Sequence, residues 1–117
     1  VGCVVQHNTD LRPMDFPLGT TPYDPISGVL EFTGTGVTCD SGDDFVDSPP
    51  ELPCDIVDME FYAIAKVAAK EGVTLRAFKY ISDRADDSAS VDWKESLTKA
   101  ADCFLSQLPH LSLCSNR

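Results

Sequence analysis

Carboxylic acids are concentrated where an apolar segment of this chain ends. The stretch "LRAFKYIS" leads directly into Asp83, and Asp86 and Asp87 follow within four residues. Turn formation accounts for such acids as readily as ligand binding does, and it favours solvated positions for Asp86 and Asp87. A second acid, Glu60, lies in "DIVDMEFYAIAKV", either as part of a site or as a helix stabiliser acting on the helix dipole. The pattern alone leaves both alternatives open for Asp83 and Glu60.

The composition restricts the ligand that such acids would bind. The chain has 117 residues and a net charge of −10, with nine Lys and Arg side chains that form no basic stripe. We therefore expect no nucleic-acid partner, and a ligand that is small and carries little negative charge. No apolar run approaches the roughly 18–20 residues of a membrane span, and no leader sequence is evident. The length is that of a single domain without a membrane segment.

The cysteines predict a reducing environment. Their number, five, is odd, and no C-x-x-C pair occurs. Only two histidines are available, so the sequence lacks the clustered ligands of a zinc site. We predict buried, reduced thiols in a cytoplasmic protein, with neither a metal nor a cofactor.

The first half of the chain alternates between strand-like and irregular stretches. Residues 1–6 are β-branched and apolar, as in a buried strand, and residues 28–39 form one long strand or two joined at the glycines. Residues 7–27 contain four prolines and are predicted to be an irregular loop, and residues 40–55 form a second loop.

The second half shows helical spacing. A helix is predicted from Asp55 to a stop at Gly72 with Asp58 as its cap, a strand over 73–82, and a final helix from Asp92. The apolar faces of the two helices would be Val57, Phe61, Ile64, Ala65 and Ala68 in the first, and Trp93, Leu97, Ala100, Ala101, Phe104, Leu105 and Leu108 in the second. This order of elements predicts an α/β layer whose sheet is at least partly parallel.

The predicted topology brings several side chains to one rim. In an open α/β sheet, ligands bind beyond the carboxyl ends of the strands. Asp83 follows such an end, and the loop 40–55 and the start of the first helix face the same rim. We therefore expect Phe45, Met59 and Glu60 to lie in one crevice with Asp83, although Phe45 and Met59 are core residues by default.

Three motifs in a fixed order are the most specific feature of the sequence. They are "SGDDFV" (41–46), "VDMEFYAIA" (57–65) and "ISDRAD" (81–86), and "VVQHNTDLRPMDFPLG" precedes them. In these segments the chain resembles the purine nucleoside phosphorylase/nucleosidase superfamily, in particular the 5′-methylthioadenosine/S-adenosylhomocysteine nucleosidases. The resemblance implies an α/β fold: residues 1–117 would be the C-terminal half of a three-layer α/β/α domain with a mixed sheet. The N-terminal half of the family domain, with the acid that activates the attacking water, would be absent from these residues.

The resemblance implies catalytic and ribose-binding roles for the acids. Asp83 would protonate or hydrogen-bond N7 of the purine leaving group, and Ser82 would help to position it. Adenine leaves poorly until N7 is protonated, so Asp83 must carry a proton before the N-glycosidic bond breaks. Glu60 would stay ionised, hold the ribose 2′- and 3′-hydroxyls and place negative charge near the developing cation.

The other implied contacts surround the base, the sugar and the 5′-substituent. Met59 would pack against the sugar, Phe45 would stack on the base, and Val46 would contribute backbone contacts to the edge of the base. In the dimeric nucleosidases one loop reaches into the partner's pocket. Met14 and Phe16 lie in the corresponding loop of this chain, so they would line the 5′-substituent in the pocket of the partner. The implied partners are a purine nucleoside and either a second copy of the chain or a complementing chain.

Three functions stay open at this point. The first is a purine nucleoside N-ribosyl hydrolase that releases adenine from nucleosides like 5′-methylthioadenosine or S-adenosylhomocysteine. The second is a phosphorylase that uses phosphate as the nucleophile, and the third is a non-catalytic half-domain that dimerises or binds a nucleoside. Whether the chain alone is an enzyme is open because the water-activating half is missing. Phe61 stands where the family has a small residue, and its bulk is expected to alter or crowd the sugar site.

Overall fold

A mixed four-stranded sheet forms the centre of the computed structural model, which describes residues 1–32 and 36–110. Its strands are Cys3–Gln6 (β1), Leu30–Glu31 (β2), Thr38–Ser41 (β3) and Ile56–Asp58 (β4), in the spatial order β2-β1-β3-β4. β1 pairs in parallel with β3, and β3 with β4, whereas β2 is antiparallel to β1. Three strands thus present their carboxyl ends at one rim. The predicted α/β class is confirmed, and the region 28–39 contributes two separate strands, with residues 33–35 outside the described part.

The first helix begins later than the sequence pattern indicated. Helix α1 spans Phe61–Glu71, and the residues just before it form β4. Val57 is four residues before Phe61, which fits a helix, and its β-branched side chain also suits a strand. Its pairing with Asp40 of β3 makes it a strand residue. The helix ends as predicted at Gly72, which has a φ of 64° and donates its N–H to carbonyls of the last turn.

The buried face of α1 differs from the predicted one by a rotation about the helix axis. Phe61, Tyr62 and Ala65 are buried and pack with Val4 of β1 and Cys39 of β3. Ile64, which was expected in the core, is 51% exposed, so that part of the prediction is wrong. Tyr62, which the periodicity did not assign to the core, is buried there instead.

Segment 73–82 does not join the sheet, so the prediction of a strand is wrong there. Half-buried Leu75 and Ala77 alternate with exposed Thr74, Arg76 and Phe78, which is the burial pattern of an extended chain. Leu75 and Ala77 pack against the core, and the backbone nitrogen of Val1 donates to the carbonyl oxygen of Ala77 at 3.1 Å. Within the described residues no strand offers this segment a backbone ladder, so side chains must hold its position.

The last helix starts three residues earlier than predicted. Helix α2 spans Ala89–Gln107, and the turn before it is closed by the Ser88 N–H, which donates to the Asp86 carboxylate at 3.0 Å. The predicted burial of its apolar face is wrong: Ala89 is its buried residue, whereas Leu97 is 51% exposed. An open space of about 550 Å³ lies between the end of α2 and segment 77–81, which explains why Phe104 stays exposed.

The cysteines are only partly buried. The described residues contain four of them, all free thiols: Cys39 is buried, Cys3 and Cys54 are half-buried, and Cys103 is exposed. The prediction of buried thiols is therefore wrong for Cys103, and Cys114 lies outside the described residues. Across residues 1–32 and 36–110, the structure contains no helix with the length and apolarity needed to cross a membrane.

Candidate active site

The carboxyl ends of β3 and β4 and the segment that ends in Asp83 border a cavity of about 710 Å³. A volume of this size is typical of sites for small molecules. Six of the residues singled out in the sequence line the cavity: Phe45, Val46, Met59, Glu60, Ser82 and Asp83. They come from three separate stretches of chain: two follow the parallel strands β3 and β4, and the third is the extended segment that ends in Asp83.

Asp83 is held in a fixed orientation by its own turn. The hydroxyl of Ser82 donates to its Oδ2 at 2.6 Å, and the N–H of Ala85 donates to its Oδ1 at 2.9 Å. Ala85 has a φ of 53°, a left-handed conformation that is uncommon for alanine, and the bond to Asp83 stabilises that turn. Since a carboxylate has about four lone-pair sites, two remain for a ligand after these two bonds. Asp83 is thus both a turn residue and a group that faces the cavity.

Glu60 and Met59 lie at the junction between β4 and α1. Both are exposed, and Glu60 directly precedes the first helical residue. A negative charge at this end of a helix is favoured by the helix dipole, whatever the ligand. Within the described residues the Glu60 carboxylate has no hydrogen-bond partner, so it is available to hydroxyl groups in the cavity.

The charge of the cavity wall is negative. Five acids and two bases line it: Asp44, Asp55, Asp58, Glu60, Asp83, Lys79 and Arg84. One of the bases, Lys79, is already paired with Asp58. This balance opposes an anionic ligand and agrees with the expectation drawn from the net charge.

Asp58 has more partners than the capping role predicted for it. It accepts from the N–H of Phe61 at 3.0 Å, which is the capping contact, and it also binds the Ser41 hydroxyl and the Lys79 ammonium. The thiol of Cys39 donates to it at 3.5 Å. Asp58 therefore ties β3, β4, α1 and the segment that carries Asp83 together. Sequence reasoning missed this because the partners lie far apart along the chain.

Burial in this network perturbs one thiol. The pKa of Cys39 rises to about 12, chiefly because burial penalises the thiolate and secondly because the Asp58 charge lies nearby. Cys39 is thereby kept as an uncharged core residue behind the site.

A second polar pair joins His7, which follows the end of β1, to Asp40 within β3. His7 Nδ1 lies 3.0 Å from Asp40 Oδ2, and Asp40 is fully buried. Burial raises the pKa of Asp40, and the hydrogen bond from His7 opposes that shift. The ring of His7 occupies the space where a Cβ at Gly42 would lie, so any larger residue at position 42 would displace the ring. Neither His7 nor Asp40 lines the cavity.

Three residues singled out in the sequence lie outside the cavity. Met14 is 58% exposed and Phe16 is 36% exposed, and neither lines the cavity of its own chain. Phe61 is buried, and its ring packs edge-on against Phe32 at a centroid distance of 5.4 Å. The expectation that Phe61 crowds the sugar site is therefore wrong, because its side chain turns into the core.

Sequence reasoning also missed two cavity residues that carry distinctive side chains. Trp93, assigned to the buried face of the last helix, lines the cavity from α2, and Lys79 lines it from the segment before Asp83. Their positions depend on how α2 and segment 73–82 sit on the sheet, which no local pattern reveals.

Comparison with known proteins agrees with this fold. No family model matches the chain. Aminodeoxyfutalosine nucleosidase of Helicobacter pylori is 32% identical over 120 residues, which cover 84% of this chain and 52% of that protein. The solved futalosine hydrolase of the same organism superposes with a TM-score of 0.79 at 27% identity, covering 93% of this chain and 58% of that one. The 5′-methylthioadenosine/S-adenosylhomocysteine nucleosidase of H. pylori, solved with butyl-thio-DADMe-Immucillin-A, superposes with a TM-score of 0.78 at 28% identity. The match covers 94% of this chain and 59% of that one.

These findings identify the homologues of the chain. They are futalosine hydrolase and methylthioadenosine-type nucleosidases, members of the nucleoside phosphorylase/nucleosidase superfamily that the three motifs predicted. Within that superfamily, the relatives described above are nucleosidases that act on futalosine-type or methylthioadenosine-type nucleosides by their names. The chain spans about half the length of the curated relative it matches.

Proposed function

We propose that this chain forms the purine- and ribose-binding wall of a nucleosidase, an enzyme that hydrolyses the N-glycosidic bond of a purine nucleoside. The observation that carries the proposal is the single cavity shared by Asp83, Glu60 and Phe45. Asp83 is the acid that would contact the purine, Glu60 is the acid that would contact the ribose, and Phe45 supplies an aromatic ring for stacking. The nucleosidase relatives support the same activity.

In the proposed mechanism the two acids act in opposite protonation states. Asp83 enters protonated and gives its proton to N7 of the purine, so that the base leaves as a neutral molecule. Its bonds from Ser82 and Ala85 fix its direction, so little reorganisation is needed when the proton moves. Glu60 stays ionised, accepts hydrogen bonds from the ribose 2′- and 3′-hydroxyls and stabilises the positive charge that develops on the sugar.

Apolar side chains complete the proposed contacts. Phe45 stacks on the purine, Val46 contacts its edge through the backbone, and Met59 packs against the ribose. Met14 and Phe16 line the 5′-substituent in the pocket of a partner copy, a role that their exposure outside their own cavity supports. The proposal thus includes a homodimer, or a complementing chain, and assigns no residue of this chain to the activation of water.

The proposed substrate is a purine nucleoside with a modified 5′ position. The sequence resemblance favours 5′-methylthioadenosine or S-adenosylhomocysteine, and the curated relative is named for aminodeoxyfutalosine. The negative cavity wall supports a nucleoside rather than a nucleotide, because a phosphate group would meet five carboxylates there.

The direct test is release of the free base by the 117-residue chain from 5′-methylthioadenosine and from aminodeoxyfutalosine, with and without phosphate. Hydrolysis without phosphate, reduced by about 10²–10⁴-fold in Asp83→Asn, is the expected result. Asparagine at 83 still accepts the bond from the Ala85 N–H, so the turn persists while the transferable proton is lost. Asp86→Asn is the matched control, since Asp86 lies outside the cavity.

The alternatives give different results in the same assay. Base release that requires phosphate would make the protein a phosphorylase. No release in either condition, with methylthioadenosine still bound in a calorimeter, would reduce the protein to a nucleoside-binding module. Equal activity of Asp83→Asn and the parent chain would refute the role of Asp83.

A further inference from the structure

The position of Asp83 relative to Glu60 depends on an unusually small set of contacts. Asp83 ends a segment that has no backbone ladder to the sheet in the described residues, whereas Glu60 follows directly from β4. Apart from the packing of Leu75 and Ala77 on the core, the segment is attached through the Val1–Ala77 backbone bond and through the Ser96 hydroxyl, which donates to the Ser82 carbonyl at 2.8 Å. Neither hydrogen bond links it to the chain around Glu60.

Lys79 supplies that missing link. Its ammonium pairs with the Asp58 carboxylate, and it lies 5.3 Å from the centre of the Phe61 ring. Asp58 and Phe61 stand on either side of the Met59–Glu60 pair. The Lys79 side chain, four residues before Asp83, therefore contacts the residues on both sides of the Met59–Glu60 pair.

The environment of Lys79 makes the contact specific. The Asp58 side chain is 10% exposed and that of Lys79 is 27% exposed, so the pair is less screened by water than a pair on an open surface. The face of an aromatic ring attracts a cation within about 6 Å, so Phe61 restricts the ammonium further. Phe61 in turn is fixed by its edge-on contact with Phe32.

We infer that Lys79 is a positioning residue: through Asp58 and Phe61 it sets the separation of Asp83 and Glu60 across the cavity. Its catalytic consequence rests on the proposed function, and its structural consequence does not. If Lys79 is released, segment 79–83 loses its attachment to the β4–α1 junction and Asp83 no longer holds a fixed place. Misplacement of a reacting group by about 1 Å can lower a rate by roughly 10²-fold.

The test compares Lys79→Met with Lys79→Arg in the full chain by amide hydrogen exchange. Methionine keeps the length without the charge, whereas arginine keeps the charge and also stacks on aromatic rings. Lys66→Met is the matched control: Lys66 pairs with Asp24 at 2.6 Å, both are 25% exposed, and neither lines the cavity. We expect exchange of the Ala85 amide, which donates to Asp83 and is followed in peptide 79–87, to become about tenfold faster or more in Lys79→Met, to recover in Lys79→Arg and to be unchanged in Lys66→Met.

Activity then separates this inference from the proposed function. If the parent chain releases base, kcat should fall about 10–10²-fold in Lys79→Met with a smaller change in KM, and recover in Lys79→Arg. Unchanged exchange in peptide 79–87, equal effects in the Lys66 control, or faster exchange with unchanged kcat would each overturn the inference. If the parent chain releases no base, the proposed function fails, and the exchange data alone decide whether Lys79 holds the segment.

Discussion

Removal of the Asp58 carboxylate is expected to destabilise the chain more than removal of any single hydrogen bond would. Asp58→Ala deletes the capping acceptor of α1, a loss of about 0.5–2 kcal/mol. It also leaves the hydroxyl of Ser41, which is 3% exposed, without its acceptor, at a cost of about 1–3 kcal/mol. The Lys79 pair adds at most about 1 kcal/mol because the lysine is partly exposed. These contributions share atoms and do not simply add, so we expect about 3 kcal/mol in the free energy of unfolding.

Two further variants separate the hydrogen bonds of Asp58 from its charge. Asp58→Asn keeps an oxygen for the Phe61 N–H and the Ser41 hydroxyl and loses only the charge, so its cost should be about 1 kcal/mol. Asp55→Ala is the control: that carboxylate lies on the same cavity wall and accepts one backbone bond, from the Thr38 N–H at 2.8 Å. Urea unfolding followed by far-UV circular dichroism measures all three. The reasoning is refuted if Asp58→Ala costs no more than Asp55→Ala, or if Asn and Ala at position 58 cost the same.

Three further predictions concern the buried groups behind the cavity. Gly42→Ala should lower the free energy of unfolding by about 2–3 kcal/mol, because its Cβ displaces the His7 ring from Asp40. The double variant with His7→Ala should cost no more than His7→Ala alone, and a larger cost would count against the clash. Cys39 should resist iodoacetamide at pH 8 in the folded chain while the exposed Cys103 reacts, as peptide mass spectrometry would show, since burial raises the pKa of Cys39 to about 12. Burial also raises the pKa of Asp40 above 3.8, so its contribution to stability is present below that pH and is lost as the pH rises through the folded-state value. Urea titrations from pH 3.5 upward should show this loss in the parent chain and not in Asp40→Asn.

The parts of the site that could be predicted are those set by strand ends. Phe45 and Glu60 follow β3 and β4, and a parallel sheet brings the ends of such strands together wherever they fall in the sequence. Asp83 lines the same cavity although the segment before it does not belong to the sheet. The stop of α1 at Gly72 was equally visible, because a left-handed residue after a helix favours glycine. A pattern of this kind can be predicted because the residues that cause the structure are adjacent in the sequence.

The parts that could not be predicted depend on pairing between distant residues. The spacing around Val57 fits a helix and a strand equally well. Only its pairing with a residue of β3 makes it part of a strand. Segment 73–82 has the composition of a strand, yet within the described residues it has no neighbour to pair with. The contacts of Asp58 with Ser41 and Lys79 likewise join residues 17 and 21 positions apart, which no spacing rule connects.

The strand pairing has a consequence for how the chain folds. Cys3 of β1 pairs with Thr38, whereas Cys39 of β3 pairs with the much nearer Ile56. Since closing a longer loop costs more entropy, we expect the β3–β4 pair to form first and β1 to join later. During synthesis β1 leaves the ribosome well before its partner β3 does. Its valines, which are buried in the native sheet, are then exposed to other nascent chains for longer than the buried residues of β3.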